Sequence, residues 1–316
     1  MTIDRSRPMS RYLALSRTSH GLLDMAAPAF CALLWLGDFP DWKIVAFSML
    51  TAFAAYTAIY ALNDLLGIKC DKEKFTAEGI SGGYAVEASV QRHPLAQGLL
   101  GVRCGLLWAG AWFILALIGS FILNPVIVIV LLIAAGLEVL YCQLQNVTYW
   151  RTLVSGLVKT SGPIAAVLVV DHHPSPGPLL LVAAWVFFWE IGGQNVPSDW
   201  NYTDQDRRAG GKTIPIQLGM EAAGRIILAA LALSVIASGF LPTISPAPLG
   251  IVYVVISLLA AYLLLLRPAY RLYRSKAGPL AARLFDRASY YPVSHFVLIS
   301  GWLALNKLLG LAASRG

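Results

Sequence analysis

Charge is scarce in this 316-residue sequence: only 13% of its residues are Asp, Glu, Lys or Arg, about half the roughly 25% of a soluble domain. Apolar residues make up 57%, and the mean hydropathy is +0.65. A water-soluble globule is excluded. Paired cysteines are lacking too, since Cys31, Cys70, Cys104 and Cys142 form no C-x-x-C pair. That removes a disulfide framework and a zinc site, and all four are expected to be small buried apolar residues. No small-residue cleavage site follows the basic N-terminal arm, so the first apolar stretch is expected to stay as a span.

What the sequence has in quantity is apolar run length. A bilayer core of about 30 Å takes about 20 helical residues, and nine segments qualify: 20–37, 44–66, 96–123, 125–144, 152–170, 178–196, 222–241, 247–266 and 291–312. The expected fold is therefore all-α, a polytopic membrane protein built as a nine-transmembrane-helix bundle, with one membrane domain over 1–316. Its charged parts are an N-terminal arm 1–19, a long loop 67–95 and a second loop 195–221.

The formal charge of +7 has a topological explanation. Of the 24 Lys and Arg residues, 21 lie on the N-terminal arm and around the even-numbered loops, leaving Lys43, Lys307 and Arg315 for the other face. The positive-inside rule puts the N-terminus and the even loops in the cytoplasm, in a multi-pass protein of the cytoplasmic membrane. No nucleic-acid partner is needed to account for the basic balance. His172 and His173 are adjacent, do not face each other on a helix and have no third ligand nearby, so they read as solvated turn residues.

Two even loops combine acids, bases and glycines. The first holds Asn63, Asp64, Gly67, Lys69, Asp71, Lys72 and Glu73; the second holds Asp199, Asn201, Asp204, Asp206, Arg207, Arg208 and Lys212. Asp64 and Asp71 are seven residues apart, as are Asp199 and Asp206, with a constant offset of 135. At about 100° per residue, a step of seven returns to within about 20° of its start, so each pair shares a face on a continued helix. Opposed carboxylates on neighbouring helices are compatible when divalent cations sit between them. Mg²⁺ takes one or two carboxylates and shares its other positions with phosphate oxygens. A lipid diphosphate bridged by metal, its hydrocarbon tail among the spans and Arg and Lys neutralising its head, fits this placement.

These motifs resemble those of the UbiA superfamily of intramembrane prenyltransferases, N-D-x-x-D-x-x-x-D and D-x-x-D-x-x-x-D on cytoplasmic loops of a nine-helix bundle. The likeness extends over nearly the whole chain. Arg92-His93-Pro94-Leu95-Ala96-Gln97-Gly98 is similar to the family's R-P-L-x-x-G segment, and Gly211-Lys212-Thr213-Ile214-Pro215-Ile216-Gln217-Leu218-Gly219 to its G-x-K-T-x-P-x-x-x-G stretch. The resemblance implies an active-site cavity on the cytoplasmic side, in which the allylic C–O bond of an isoprenyl diphosphate donor ionises and an electron-rich acceptor captures the carbocation. It implies that Asn63, Asp64, Asp71, Asp199 and Asp206 hold Mg²⁺, with the four acids as the catalytic set. Arg92 and Lys212, joined by Arg151 and Lys159, are the expected diphosphate ligands. Tyr56, Tyr60, Tyr141, Trp185, Phe187, Phe188 and Trp189 are available as aromatic faces for the cation, or as packing and lipid-facing residues.

The sequence also departs from the family pattern. The central acid of each motif is replaced, by Gly67 and by Tyr202. Asp64 and Asp71 are about 10.5 Å apart along a straight helix, too far to grip one ion unaided. Glu73 and Asp204 substitute for the lost acids only if the helix ends unwind. Twenty residues separate Asp71 from Arg92, roughly twice the family's usual length, and form either a lid or a tolerated insertion. The turn after Tyr141 lacks the family's frequent Lys-Arg pair, its basic charge being delayed to Arg151 and Lys159. Lys159, Glu138 and Glu190 are too costly to face lipid. Lys159 either pairs with Glu138 or reaches the diphosphate. His20, His93 and His295 are isolated along the chain and read as packing or interfacial residues.

The expected activity is Mg²⁺-dependent transfer of an isoprenyl group to a lipophilic acceptor within the lipid membrane, with an aromatic acceptor favoured. Phosphoribose and glycerol phosphate remain open as acceptors. The rival class is a catalytically silent lipid-binding homologue or a transporter, suggested by the two missing acids and the 135-residue offset. Transporter repeats place binding residues at the bilayer midplane, whereas these acids fall at the boundary.

Overall fold

The computed structural model describes residues 8–75 and 93–313. Among these, nine helices are long and apolar enough to cross a membrane: α1 (Thr18–Leu36), α2 (Trp42–Glu73), α3 (Val102–Leu123), α4 (Pro125–Asn146), α5 (Arg151–Val170), α6 (Pro176–Asn201), α7 (Ile214–Ile244), α8 (Ile251–Ser275) and α9 (Gly278–Gly310). No β-strand occurs among the described residues. The number and order of spans match the expectation from hydropathy, and the boundaries differ where local chemistry outweighs it. The second helix continues to Glu73 because nothing between Asn63 and Glu73 breaks it. The third begins at Val102 rather than 96, since residues 93–101 form a tight turn in which the Leu99 and Leu100 amides both donate to Pro94 O, with Gly98 at φ +69°. The ninth starts at Gly278, thirteen residues before the apolar run that marks it in the sequence.

The core lies between α1, α6, α7 and α9. Trp185, Trp189, Tyr291, Phe30, Ile227 and Leu231 are fully buried there. Trp185 Nε1 donates to Tyr291 Oη at 3.2 Å and Trp189 Nε1 to Ala288 O at 2.9 Å, so each indole buries its area without orphaning its N–H. His295 packs edge-on against Phe30 and Tyr291 and tilted against Trp185, in the packing role its isolation suggests. The opposite arc, α2 to α5, is thinner and exposes Leu107, Phe121, Ile129 and Leu157, as lipid-facing helices do. One expectation needs correction here. Only Cys31 is buried, whereas Cys104 is exposed on the apolar flank of α3 and Cys70 and Cys142 are half-buried near the polar end of the bundle. His172 and His173 lie in an exposed turn, as expected.

One irregularity positions the site. Within α6, Glu190–Asn195 is wound as a π-helix. Gly192 and Gly193 make this possible by close approach: a Cβ on Gly192 would lie 2.8 Å from Leu231 Cγ and 2.9 Å from Ile227 O, and one on Gly193 2.9 Å from Ala288 Cβ. The wider turn brings Glu190, Gln194, Asn195 and Ser198 onto the wall of an internal cavity.

Candidate active site

The first motif is held by a continuous helix. Because α2 runs through Gly67, Asp64 and Asp71 share a face as their spacing requires. What joins them is His93, whose Nδ1 lies 3.2 Å from Asp64 Oδ1 and 3.0 Å from Asp71 Oδ2. His93 adopts the left-handed region at φ +52°, which turns its ring back over the end of α2. Burial disfavours a charged imidazole, but Asp71 and Asp64 outweigh it and hold the pKa up at about 9, so the ring is cationic at neutral pH. Arg17 Nη2 approaches Asp64 Oδ1 and Asn63 Oδ1, both at 3.3 Å. Asn63 Nδ2 then donates to Glu138 on α4.

The second motif is not one helix. It breaks at Tyr202, with φ −106° and ψ 19°, between Val196–Asn201 and a short helix Thr203–Arg208. The assumption of a continued helix is thus corrected for this loop: Asp199 and Asp206 are both buried, but a turn brings them there. Tyr202 itself packs on Phe285 and Leu23, a hydrophobic anchor where the family pattern has an acid. Asp199 Oδ1 accepts from Arg151 Nη2 at 2.6 Å, with both side chains buried, and Arg151 also feels the charge of Asp206. The Arg151 guanidinium stacks 4.6 Å from the Tyr141 ring, and Tyr141 Oη accepts from Asn195 Nδ2 at 3.0 Å.

Helix α4 lies between the motifs. Glu138 takes Asn63 of the first and Tyr141, three residues on, takes Arg151 and Asn195 of the second. The short helix with Asp206 packs directly against α2. One cavity of about 580 Å³ touches both segments through Asn63, Asn195 and Ser198, with Arg17 and Tyr141 also at its polar end, while Asp64, Asp71, Asp199 and Asp206 stand beside it and are not among its lining residues. On α2 the lining runs from Asn63 to Ile44, about 28 Å at 1.5 Å per residue, which is nearly the depth of a bilayer core. A polar head chamber thus continues into a long apolar channel.

The other expected site residues divide. Arg92 and the segment read as a lid or insertion lie outside the described residues. The Lys212 side chain is exposed, and its backbone N–H donates to Gln145 O at 2.9 Å, so the structure ties the loop down there without bringing the ammonium into the cavity. Lys159 lies two turns deeper than Arg151 on α5. It pairs with Asp24 at 2.6 Å and Glu190 at 3.7 Å, not with Glu138 as one reading had it. Glu73 and Asp204 are exposed and compensate for neither lost acid; Asp204 sits 3.8 Å from Arg207. Tyr56, Tyr60 and Tyr141 line the cavity, whereas Trp185 and Trp189 are core residues and Phe187 and Phe188 pack against that core. Sequence reasoning missed His93, read as isolated, and Arg17, read only as a topological charge. The left-handed turn at His93 leaves no sequence signature, and Arg17 reaches Asp64 across 47 residues.

The donor set suits a hard divalent cation. Carboxylate oxygens of Asp64 and Asp71 and a ring nitrogen of His93 all lie within 4.8 Å of one another; the cationic ring is not itself a ligand, so a metal here would take the two carboxylates in its place. Asp64 Oδ2 is buried without a hydrogen-bond partner, and a cationic ring already stands between the two carboxylates. Carboxylate and amide oxygens are the ligands Mg²⁺ selects.

Fold and site together define a polytopic membrane protein with a polar head chamber, flanked by two aspartate segments, above an apolar channel. Residues 25–291 match the UbiA prenyltransferase family, and the chain belongs to it. It is thus an intramembrane prenyltransferase. Solved structures of similar fold include an apo UbiA homologue from Aeropyrum pernix K1 (TM-score 0.70, 16% identity, covering 92% of this chain and 98% of that one). Another is a UbiA homologue from Archaeoglobus fulgidus bound to DMAPP and Mg²⁺ (TM-score 0.66, 14% identity, 92% and 99%). A third is a digeranylgeranylglyceryl phosphate synthase (TM-score 0.66, 17% identity, 94% and 99%). No curated protein matches the sequence.

Proposed function

We propose that this prenyltransferase binds the head of an allylic isoprenyl diphosphate between its two aspartate segments and lays the hydrocarbon along the channel, for transfer to a lipophilic acceptor. The observation that carries this reading is the continuity of the cavity from Asn63 and Ser198 at its polar end to Ile44 and Val45 at its apolar end. Asp64, Asp71, Asp199, Asp206 and Asn63 would hold Mg²⁺, which when bound neutralises a diphosphate and the charge that builds on it as the C–O bond breaks. Arg151, fixed by Asp199 and Tyr141, is placed to add a positive charge to the leaving group, and Arg17 does the same from the first motif. His93 keeps Asp64 and Asp71 together in the absence of the family's central acid. Tyr56 and Tyr60 present aromatic faces just inward of the head chamber, and the apolar wall beyond them keeps water from the carbocation. Arg92 and Lys212 remain diphosphate ligands by family position alone.

The site faces the cytoplasm, the N-terminus lies on the same side and the protein resides in the cytoplasmic membrane, a reading supported by the basic loops at that end of the bundle. The test is turnover in lipid nanodiscs with Mg²⁺ and allylic diphosphates of graded length, following diphosphate release and prenylated products by mass spectrometry. Mg²⁺-dependent release lost in Asp64→Asn and Asp206→Asn is expected. Donor binding with no release in the wild type would favour a silent lipid-binding homologue.

A further inference from the structure

The cavity carries a second polar centre, inward of the head chamber, built around Lys159. Lys159 Nζ lies 2.6 Å from Asp24 Oδ2, 3.3 Å from Tyr60 Oη and 3.7 Å from Glu190 Oε2. Tyr60 also donates to Asp24, His20 Nε2 is 3.6 Å from the same carboxylate, and Ser155 Oγ donates to Glu190 Oε1 at 2.7 Å. Four helices converge here, α1, α2, α5 and α6. Tyr60 is one turn inward of Asp64, about 6 Å, and Lys159 two turns inward of Arg151, about 12 Å. The centre therefore flanks the channel where the hydrocarbon of a head-bound donor begins.

A purely structural lock between four helices would satisfy its own members, because unpaired buried polar atoms are costly. This cluster does not. Glu190 Oε2 and Gln194 Oε1 have no hydrogen-bond partner, their residues are only 7% and 3% exposed, and both line the cavity. The two oxygens are acceptors and call for a donor from the cavity side. Charge narrows the class further. Lys159 is committed to Asp24 and Glu190, and Arg17 to Asp64 and Asn63, while Asp24, Glu138 and Glu190 are all close to the channel. A phosphate or carboxylate placed here would find both nearby cations, Lys159 and Arg17, already paired with carboxylates in a poorly solvated wall.

We propose that this centre is the acceptor subsite, and that it takes a neutral, hydroxyl-bearing apolar molecule whose O–H donates to Glu190 and Gln194. The proposal rests on the prenyl-transfer reading above and deepens it by naming the acceptor class. Lys159 and Asp24 act as positioning residues that fix the Glu190 carboxylate. Anionic acceptors are rejected.

The test uses the full chain in nanodiscs with Mg²⁺, one allylic diphosphate and three acceptors: a naphthol, the same naphthol carrying a carboxylate, and glycerol phosphate. Binding of the naphthols is also read directly from their fluorescence. The wild type is expected to bind and prenylate the neutral naphthol with at least tenfold lower Kd and KM than either anion. Glu190→Gln is expected to raise the naphthol KM and to shrink its advantage over the carboxylate by at least tenfold. It should leave donor KM and acceptor-free diphosphate release within twofold, a split that a merely structural role would not produce. Preference for an anionic acceptor, no measurable naphthol binding, or parallel changes in donor and acceptor constants would overturn the proposal while donor turnover persists. The wild-type preference decides the matter even where the variant does not fold. No diphosphate release from any donor by the wild type would overturn prenyl transfer itself, and this subsite with it.

Discussion

Asp199 and Arg151 show how the residues of the site are balanced. Both are buried, and the 2.6 Å contact between them is what allows either charge to be there. Breaking a buried pair by removing one partner costs about 3–5 kcal/mol, whereas replacing both with apolar groups is far milder. Arg151→Met is therefore expected to lower thermal stability in detergent strongly, and Arg151→Met with Asp199→Leu to recover most of the loss. Equal stability of the single variant and the wild type would mean that the pair is solvated. Asp64→Asn and Asp206→Asn should lower the rate of diphosphate release at least 100-fold, about 2.7 kcal/mol of transition-state stabilisation, and Asp64→Asn, which removes a buried carboxylate paired with Arg17 and His93, should lower the unfolding temperature as well. The paired acids were legible in the sequence because their spacing repeats, and Asn63 through the resemblance to the family motif. His93 was not, since only its left-handed backbone carries it to Asp64 and Asp71.

At the scale of elements, the π-wound part of α6 is the least forgiving. Gly192→Ala would drive a methyl into Leu231 and the Ile227 carbonyl, and overpacking of this kind costs about 1–3 kcal/mol. Since the same turn sets Glu190, Gln194 and Asn195 on the cavity wall, activity should fall with stability. Gly110→Ala on α3, with nothing within 4 Å of the added carbon, is the control. It should be neutral or stabilising by up to about 1 kcal/mol, helix propensity alone being changed. Thermal unfolding of both variants checks the contrast. The spacing of seven was a sound guide for α2, an unbroken α-helix, and failed for the second motif, where Tyr202 ends one helix and starts the next. An argument at 100° per residue carries no information about a π-turn or a break.

For the whole molecule, nine spans were readable because bilayer thickness fixes the length of an apolar run. The core aromatics were not separable from cavity aromatics, since hydropathy does not say which face of a helix meets neighbours and which meets a void. Sidedness is testable directly. In a cysteine-free background, Arg207→Cys should react with an impermeant maleimide only when the cytoplasmic face is exposed, and Thr243→Cys only from the opposite face. The reverse pattern would invert the bundle. The measurement closest to the central claim is an experimental density map of the protein with Mg²⁺ and a non-hydrolysable isoprenyl thiodiphosphate. Density for the head between Asp64 and Asp206, with the tail descending past Tyr60 toward Ile44, is the predicted result. A head bound away from both aspartate segments, or a tail leaving the cavity empty, would contradict the account.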